Sequence, residues 1–198
     1  MASGYAVSVR GLSGTEYAPL TTTDAILYIF SGLPGSGKSS LAKRVAKDLG
    51  AVYLRIDTLE QGLRDLCSID VQGEGYRLAY RIAADNLRLG LAVVADCCNP
   101  IQLTRQEWEQ VALDATVGFI NIEVVCSGIH EHRQRVERRA TDSPGLKLPS
   151  WSDIESREYH DWSESRIVID TAGRSQIECE GELLSRLRQA ASGQGSTT

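Results

Sequence analysis

The stretch that most constrains this chain is Gly32-Leu33-Pro34-Gly35-Ser36-Gly37-Lys38-Ser39, which satisfies the pattern G-x-x-x-x-G-K-[S/T] without substitution. An apolar, β-branched run at 25–30 precedes it and reads as a buried strand. A helical pattern at 39–49 follows, and Gly50 stands where a helix usually ends. The sequence therefore predicts a strand, a phosphate-binding loop and a helix in succession.

Each residue type in this loop has a chemical reason. Backbone N–H groups can wrap a phosphate closely only where side chains are absent, and the helix N-terminus adds a partial positive charge. Lys38 would hold the β- and γ-phosphates of ATP, and the Ser39 hydroxyl would be a ligand of Mg²⁺. The residues expected to bind the nucleotide here are Gly32, Leu33, Pro34, Gly35, Ser36, Gly37, Lys38, Ser39 and Ser40.

Composition limits the classes of function. The chain has 198 residues and a formal net charge of −5, which argues against broad electrostatic binding of nucleic acid but leaves a local basic groove open. Its five cysteines form no C-x-x-C pair, as expected of a protein with reduced thiols. With neither a long apolar stretch nor a signal-peptide pattern, we expect a cytoplasmic protein without a membrane span, monomeric or dimeric.

The rest of the chain alternates between strand and helix patterns. Further strands are predicted at 51–56, 91–96, 119–126 and 166–170, and further helices at 57 onward, 74–89, 104–115, 130–139, 150–162 and 175–190. This order predicts an α/β fold of three layers with a five-stranded, mostly parallel sheet. We divide the chain into a leader at 1–23, with a possible edge strand at 5–9, a domain at 24–191, and a disordered tail at 192–198.

Asp57 follows the second predicted strand. Ligands of open α/β sheets bind at the carboxyl ends of the strands, so Asp57 is expected beside the phosphate loop, where it could accept a proton from a substrate hydroxyl or hold the metal. The alternative is a helix cap, because the run from Asp57 to Glu60 has capping-box spacing. Similar boxes are predicted at Thr104–Glu107 and Ser175–Glu178.

Asp96 ends the third predicted strand and is the candidate for a second acidic group at the metal. With Ser39 it would organise Mg²⁺, directly or through water. The alternative is a strand-end aspartate that opens a turn with Asn99 and Pro100.

Four arginines lie within residues 133–139, and Arg135, Arg138 and Arg139 share one helix face. A solvated charged helix is the simplest explanation of such a run. Because a segment rich in turn residues follows it, we expect instead a lid at about 130–150 whose arginines stabilise a transferred phosphoryl group. His130 and His132 are interpreted as surface residues.

With these motifs the chain resembles the P-loop kinases of the zeta-toxin, chloramphenicol phosphotransferase and polynucleotide kinase type, over about residues 25–190. The resemblance implies that Asp57 is the general base, that Asp96 and Asn99 match the family's Asp-x-x-Asn, and that arginines such as Arg135 and Arg138 belong to its lid. It also implies that the loop after strand five, at Thr171, lies near adenine. Polynucleotide kinases tend to place an arginine three residues after the strand-two aspartate, and Glu60 stands there, with Arg64 one helical turn further on.

The predicted function is transfer of the γ-phosphate of ATP to a hydroxyl group of a small molecule that the sequence leaves unidentified. Lys38, Asp57 and the arginines 135, 138 and 139 are the catalytic candidates. One alternative is a 5′-hydroxyl polynucleotide kinase. Another is an ATP-binding regulatory module with little transfer activity.

Overall fold

The structure is a computed structural model that describes residues 25–140 and 145–194, with the backbone alone for 191–194. The predicted leader at 1–23, with its possible strand at 5–9, lies outside the described residues. So do residues 141–144 of the predicted lid and 195–198 of the predicted tail. Residues 192–194, which were also predicted to belong to the disordered tail, are helical, so that boundary is wrong. No helix in the described part of the chain is long and apolar enough to cross a membrane.

Strands and helices alternate along the chain as predicted. The strands are β1 (Ile26–Ser31), β2 (Val52–Arg55), β3 (Val93–Asp96), β4 (Gly118–Val125) and β5 (Ile167–Asp170). The helices are α1 (Lys38–Leu49), α2 (Ile56–Cys67), α3 (Glu74–Arg88), α4 (Gln102–Asp114), α5 (Ile129–Arg138), α6 (Trp151–Glu155) and α7 (Gln176–Gln194).

The five strands form one sheet in the order β2-β3-β1-β4-β5, and every neighbouring pair is parallel. The register places Phe30 of β1 beside Asp96 of β3 and beside Ile122 of β4. In the register of β2 and β3, Arg55 at the end of β2 stands beside Asp96 at the end of β3. The carboxyl ends of β1, β2 and β3 therefore meet at one edge. This is the edge at which ligands bind in sheets of this kind.

Both faces of the sheet are covered, which gives three layers. On one face α1 and α7 pack on apolar residues of the strands through side chains such as Leu41, Val45 and Leu183. On the other face α3 and α4 do so through side chains such as Ala83, Leu87 and Trp108. Burial on both faces explains why the strands are continuous apolar runs.

The predicted helix ends were partly right. Gly50 ends α1 with a φ of 60° and donates its N–H to Ala46 and Lys47, and Ser175 and Glu178 form a reciprocal capping box before α7. The boxes at Asp57 and Thr104 are wrong. Helix α2 already begins at Ile56, and α4 begins at Gln102, where the Thr104 hydroxyl donates to the Ile101 carbonyl at 2.9 Å.

The helix predicted at 150–162 is also wrong, since α6 ends at Glu155. Tertiary contacts hold the chain that follows. The guanidinium of Arg105, which is fully buried, donates to the carbonyls of His160 and Asp161 at 2.8 and 3.1 Å and to that of Asn99 at 3.0 Å. These bonds tie the segment to the loop after β3, and helical backbone there would leave the buried donors of Arg105 without these acceptors.

Candidate active site

The loop between β1 and α1 is built around glycines that other residues could not replace without strain. A Cβ atom at Gly32, whose φ is 142°, would lie 2.2 Å from the Val124 carbonyl oxygen of β4. A Cβ atom at Gly35, whose φ is 87°, would lie 2.6 Å from Cγ2 of Val136 on α5. Two close approaches and two left-handed conformations therefore explain these glycines.

Lys38 opens α1 and pairs with the aspartate at the end of β3. Its Nζ atom lies 2.7 Å from Oδ1 of Asp96, whose side chain is fully buried. The hydroxyl of Tyr53 on β2 donates to the other oxygen, Oδ2, at 2.6 Å. The pair thus joins three neighbouring elements at the carboxyl edge of the sheet.

The two charges determine each other's protonation. Burial by itself would lower the pKa of Lys38, but the charge and hydrogen bond of Asp96 outweigh burial and raise it. Burial would likewise raise the pKa of Asp96, but Lys38, with the hydroxyls of Tyr53 and Ser39, holds it below its usual range. Both groups are therefore charged near neutral pH.

Asp57 lies in the first turn of α2 and faces the loop. Its Oδ2 atom is 3.5 Å from Nη2 of Arg55 and 4.0 Å from Nη2 of Arg139. Asp57 borders a cavity of about 340 Å³ that the phosphate loop also lines. The lining residues are Gly32, Leu33, Pro34, Gly35, Gly37, Lys38, Ser39, Ser40, Asp57, Cys98, Arg135, Arg138 and Arg139.

Arg135 is the arginine most firmly placed on α5. Its Nη1 and Nη2 atoms donate to the hydroxyl and the carbonyl of Thr171 at 2.7 and 3.0 Å, and Nη2 also donates to Glu131 at 2.5 Å. The Thr171 hydroxyl in turn donates to the Ser36 carbonyl of the phosphate loop at 2.9 Å. Arg135 and Thr171 are thus joined to the loop by hydrogen bonds.

A second, smaller cavity of about 260 Å³ lies beside Thr171 and shares Gly37, Ser40 and Arg135 with the first. Its other lining residues are Leu41, Thr171, Arg174, Gln176 and Cys179. Together the two cavities extend from Asp57, along the phosphate loop, to the turn after β5.

The structure brings nearly all the predicted site residues to this region. Three of them do not line the larger cavity: Ser36, which is buried beneath the loop, Asp96, which lies behind Lys38, and Thr171. Thr171 lines the second cavity instead. The arginine segment is a helix, α5, that packs directly on the phosphate loop.

His132 was interpreted as a surface residue, and that prediction is wrong. Its side chain is buried, its Nε2 atom lies 2.8 Å from the Pro34 carbonyl oxygen, and its ring meets that of Trp151 edge to face at 5.3 Å. The missed signal is helical spacing. His132 and Val136 are four residues apart, so they share the face of α5 that touches Pro34 and Gly35. His130, two residues earlier, is exposed as predicted.

Tyr53 and Cys98 are two further residues that sequence reasoning left out of the site. Tyr53 was read only as part of a strand, and its hydroxyl holds Asp96. Cys98 lines the cavity near Asp57. Burial raises the pKa of its thiol, so Cys98 is a neutral wall of the cavity at neutral pH. A strand pattern identifies neither side chain's neighbours, and no signal in the sequence would have found them.

The residues present fit Mg²⁺ held mainly by a nucleotide. Ser39 lines the cavity, and its hydroxyl lies close enough to Asp96 to lower the pKa of that carboxyl, so one hydroxyl and one carboxylate lie together at the end of the loop. No group of three or more histidine, cysteine or acidic residues that could hold a metal occurs within the described ranges. Mg²⁺ commonly takes one or two protein oxygens, with phosphates and water as its other ligands.

Solved structures share this architecture. The chain is similar to the adenylylsulfate (APS) kinase CysC of Mycobacterium tuberculosis, solved with AMPPNP and APS, with a TM-score of 0.63 at 22% identity, covering 83% of this chain and 98% of that one. A gluconokinase from Sinorhizobium meliloti has a TM-score of 0.62 at 18% identity, covering 86% of this chain and 95% of that one. Kti12 of Chaetomium thermophilum, solved with ADP-AlF3, has a TM-score of 0.63 at 21% identity, covering 83% of this chain and 98% of that one. No curated protein matches the chain in sequence.

The parallel sheet, the phosphate loop and these neighbours define a three-layer α/β fold of the P-loop NTPase class. A family profile described as an AAA domain, AAA_33, matches residues 27–156. The chain belongs to this family. The match spans the phosphate loop, Asp57, Asp96 and α5.

Proposed function

We propose that this protein is an ATP-dependent kinase that transfers the γ-phosphate to a hydroxyl group of a small molecule. The observation that carries the proposal is the arrangement around one cavity. Lys38 and the loop stand on one wall, Asp57 on a second, and Arg135 and Arg138 of α5, with the adjoining Arg139, on a third. A phosphate-binding wall that faces a carboxylate across a cavity is what transfer to an alcohol requires.

Each wall would have its own part. The loop N–H groups and Lys38 would bind the β- and γ-phosphates, and the second cavity beside Thr171 would take the base and ribose. Asp57 would accept the proton of the acceptor hydroxyl. Arg135 lines both cavities, so it is placed to stabilise negative charge on the transferred group. Ser39 and Asp96 would hold Mg²⁺, which supplies neutralisation of the phosphate charges.

Binding of ATP requires a change at Lys38. In the structure Lys38 is paired with Asp96. The triphosphate would compete with Asp96 for the Lys38 ammonium, and Asp96 would then be available to the metal. The energetic cost of this exchange is small only if phosphate and metal arrive together, since neither buried charge would then lack a partner.

The likeness to kinases of small molecules supports the choice of acceptor class. The neighbours named for adenylylsulfate and gluconate kinase activity share the fold over most of their length. A 5′-hydroxyl polynucleotide kinase has less support, because Glu60 stands where such enzymes tend to have an arginine and pairs with Arg64 at 3.2 Å. The net charge of −5 also disfavours a long polyanion.

The test is a transfer assay with γ-labelled ATP, Mg²⁺, a pool of hydroxyl-bearing metabolites and 5′-hydroxyl oligonucleotides. Lys38→Ala is the blank, because it removes the charge that holds the phosphates. Label on a small organic molecule would support the proposal. Label on an oligonucleotide alone would favour the polynucleotide kinase. Tight binding of ATP without transfer to any acceptor would favour a regulatory module.

A further inference from the structure

Three guanidinium groups near Asp57 lack a close carboxylate partner in the described part of the chain. Arg138 is exposed and lines the cavity without an ion pair. Arg139 reaches the Asp57 carboxylate only at 4.0 Å. The Nη1 atom of Arg157, which follows α6, lies 3.9 Å from the Cys98 sulfur. Among the residues that the structure describes, the wall around Asp57 and Cys98 therefore carries more guanidinium groups than close carboxylate partners.

Neighbouring carboxylates do not remove this excess, because they already hold other arginines. Asp57 itself is closer to Arg55, at 3.5 Å, than to Arg139. The other pairs on α2 and α5 are Glu60 with Arg64 at 3.2 Å, Glu131 with Arg135 at 2.5 Å, and Glu137 with Arg133 at 2.7 Å.

The arginines divide between the two ends of the site. Arg135 is bound to Thr171 and lines both cavities, so it belongs to the nucleotide end. Arg139 lies beside Asp57, and Arg157 touches Cys98, which lines the same cavity. These two therefore belong to the end where the acceptor hydroxyl would meet Asp57. Lys38 and the loop already provide for the triphosphate, so the phosphates of ATP do not account for them.

We propose that the acceptor is a small anionic alcohol. Its carboxylate, sulfate or phosphate group would be held by Arg139 and Arg157 on the Cys98 side of the cavity, while its hydroxyl faces Asp57. Guanidinium groups are suited to this because their planar donors match two oxygens of such a group at once. The inference rests on the proposed function and narrows its substrate class.

The first test measures binding and needs no transfer. The protein is saturated with a non-hydrolysable ATP analogue and Mg²⁺, so that the phosphate loop is filled, and sulfate is titrated by calorimetry. We expect a single sulfate site whose affinity falls about ten-fold or more in Arg139→Gln and in Arg157→Gln, since each removes a charged hydrogen-bond donor. The matched control is Arg81→Gln, which replaces an exposed arginine on α3 and should leave the affinity for sulfate unchanged. Sulfate binding that is absent, or equal in all variants, would overturn the inference.

The second test compares acceptors of equal carbon skeleton, such as glycerol, glycerate and glycerol phosphate, in the γ-labelled ATP assay. We expect transfer to anionic members, with the acceptor KM raised in Arg139→Gln and Arg157→Gln and the KM for ATP unchanged. Equal transfer to neutral members, or transfer to oligonucleotides alone, would overturn the inference. An arginine-dependent sulfate site without transfer to any acceptor would overturn the kinase proposal instead and leave the anion site standing.

Discussion

The Nζ atom of Lys38 lies 2.7 Å from Oδ1 of Asp96, with 12% of the lysine side chain and none of the aspartate exposed. Breaking a buried pair from one side leaves a charge without a partner, which costs far more than losing an exposed pair. We therefore expect Asp96→Asn to lower the free energy of unfolding by about 3–5 kcal/mol. Asp48→Asn, which breaks the exposed pair with Arg44, should cost much less because solvent screens that pair. Equal losses in urea titrations would contradict this reading of the pair.

The same pair predicts a pH profile of stability. The pKa of Asp96 is lowered, so its contribution is present above the unfolded value of about 3.9 and is lost as pH falls through the folded value. The pKa of Lys38 is raised, so its contribution is present below about 10.4 and is lost as pH rises through the folded value. The stability difference between the native sequence and Asp96→Asn should shrink below about pH 3.9, as Asp96 takes up its proton. It should also shrink towards alkaline pH, because burial lowers the pKa of the partnerless Lys38 in the variant and that lysine becomes neutral first. A difference that stays unchanged as the pH falls through the acid range would count against the pair.

Replacing Asp57 by asparagine should separate binding from chemistry. The side chain keeps its size but can no longer accept a proton, so the transfer rate should fall by about 10²–10⁴-fold while ATP affinity is retained. Single-turnover transfer and equilibrium binding of ATP measure the two effects. Asp85→Asn, an exposed carboxylate on α3, is the matched control. Normal transfer by Asp57→Asn would show that another group takes the proton.

His132 is expected to position the phosphate loop rather than to touch substrate. His132→Ala removes the partner of the Pro34 carbonyl and the ring contact with Trp151, which should cost about 1–3 kcal/mol of stability. It should also weaken ATP binding, because the loop loses its support from α5. His130→Ala, at an exposed position two residues away, is the control. The position would be structurally unimportant if both variants bound ATP and unfolded alike.

Gly35→Ala tests the contact between the loop and α5. The new methyl group would lie 2.6 Å from Cγ2 of Val136, and the residue would keep a φ of 87°. Left-handed backbone alone costs a non-glycine residue roughly 1–2 kcal/mol, and the clash adds to it. The double variant Gly35→Ala with Val136→Ala should recover part of the lost ATP affinity, since it relieves the clash but not the backbone strain. Recovery that is absent or complete would show that one of the two causes acts alone.

Local pattern was sufficient for much of the fold. The fold class followed from the glycine loop with its flanking strand and helix, and from the alternation of strand and helix patterns. These predicted one five-stranded sheet in a fold of three layers, and the structure has this architecture. The helix end at Gly50 and the capping box at Ser175 were predictable because each depends on residues close in sequence. Asp57 and Asp96 were found as candidates because parallel strands bring their carboxyl ends to one edge.

Tertiary contacts decided the rest. The helix predicted to 162 stops at Glu155, and the fully buried Arg105, about fifty residues earlier, binds the carbonyls of the chain that follows. Helical spacing places His132 and Val136 on one face of α5, but only tertiary packing decided that Pro34 and Gly35 of the phosphate loop cover that face.

The division has a physical cause. The sequence by itself determined the phosphate loop, the order of the elements and the edge of the sheet at which the site forms, because these follow from contacts a few residues apart and from the rules of parallel sheets. The tertiary structure alone decided that Lys38 pairs with Asp96, that Arg135 binds Thr171, that Arg139 lies beside Asp57, and that Arg157 contacts Cys98. Each of these relationships joins residues on separate elements, whose distances depend on how helices and strands pack.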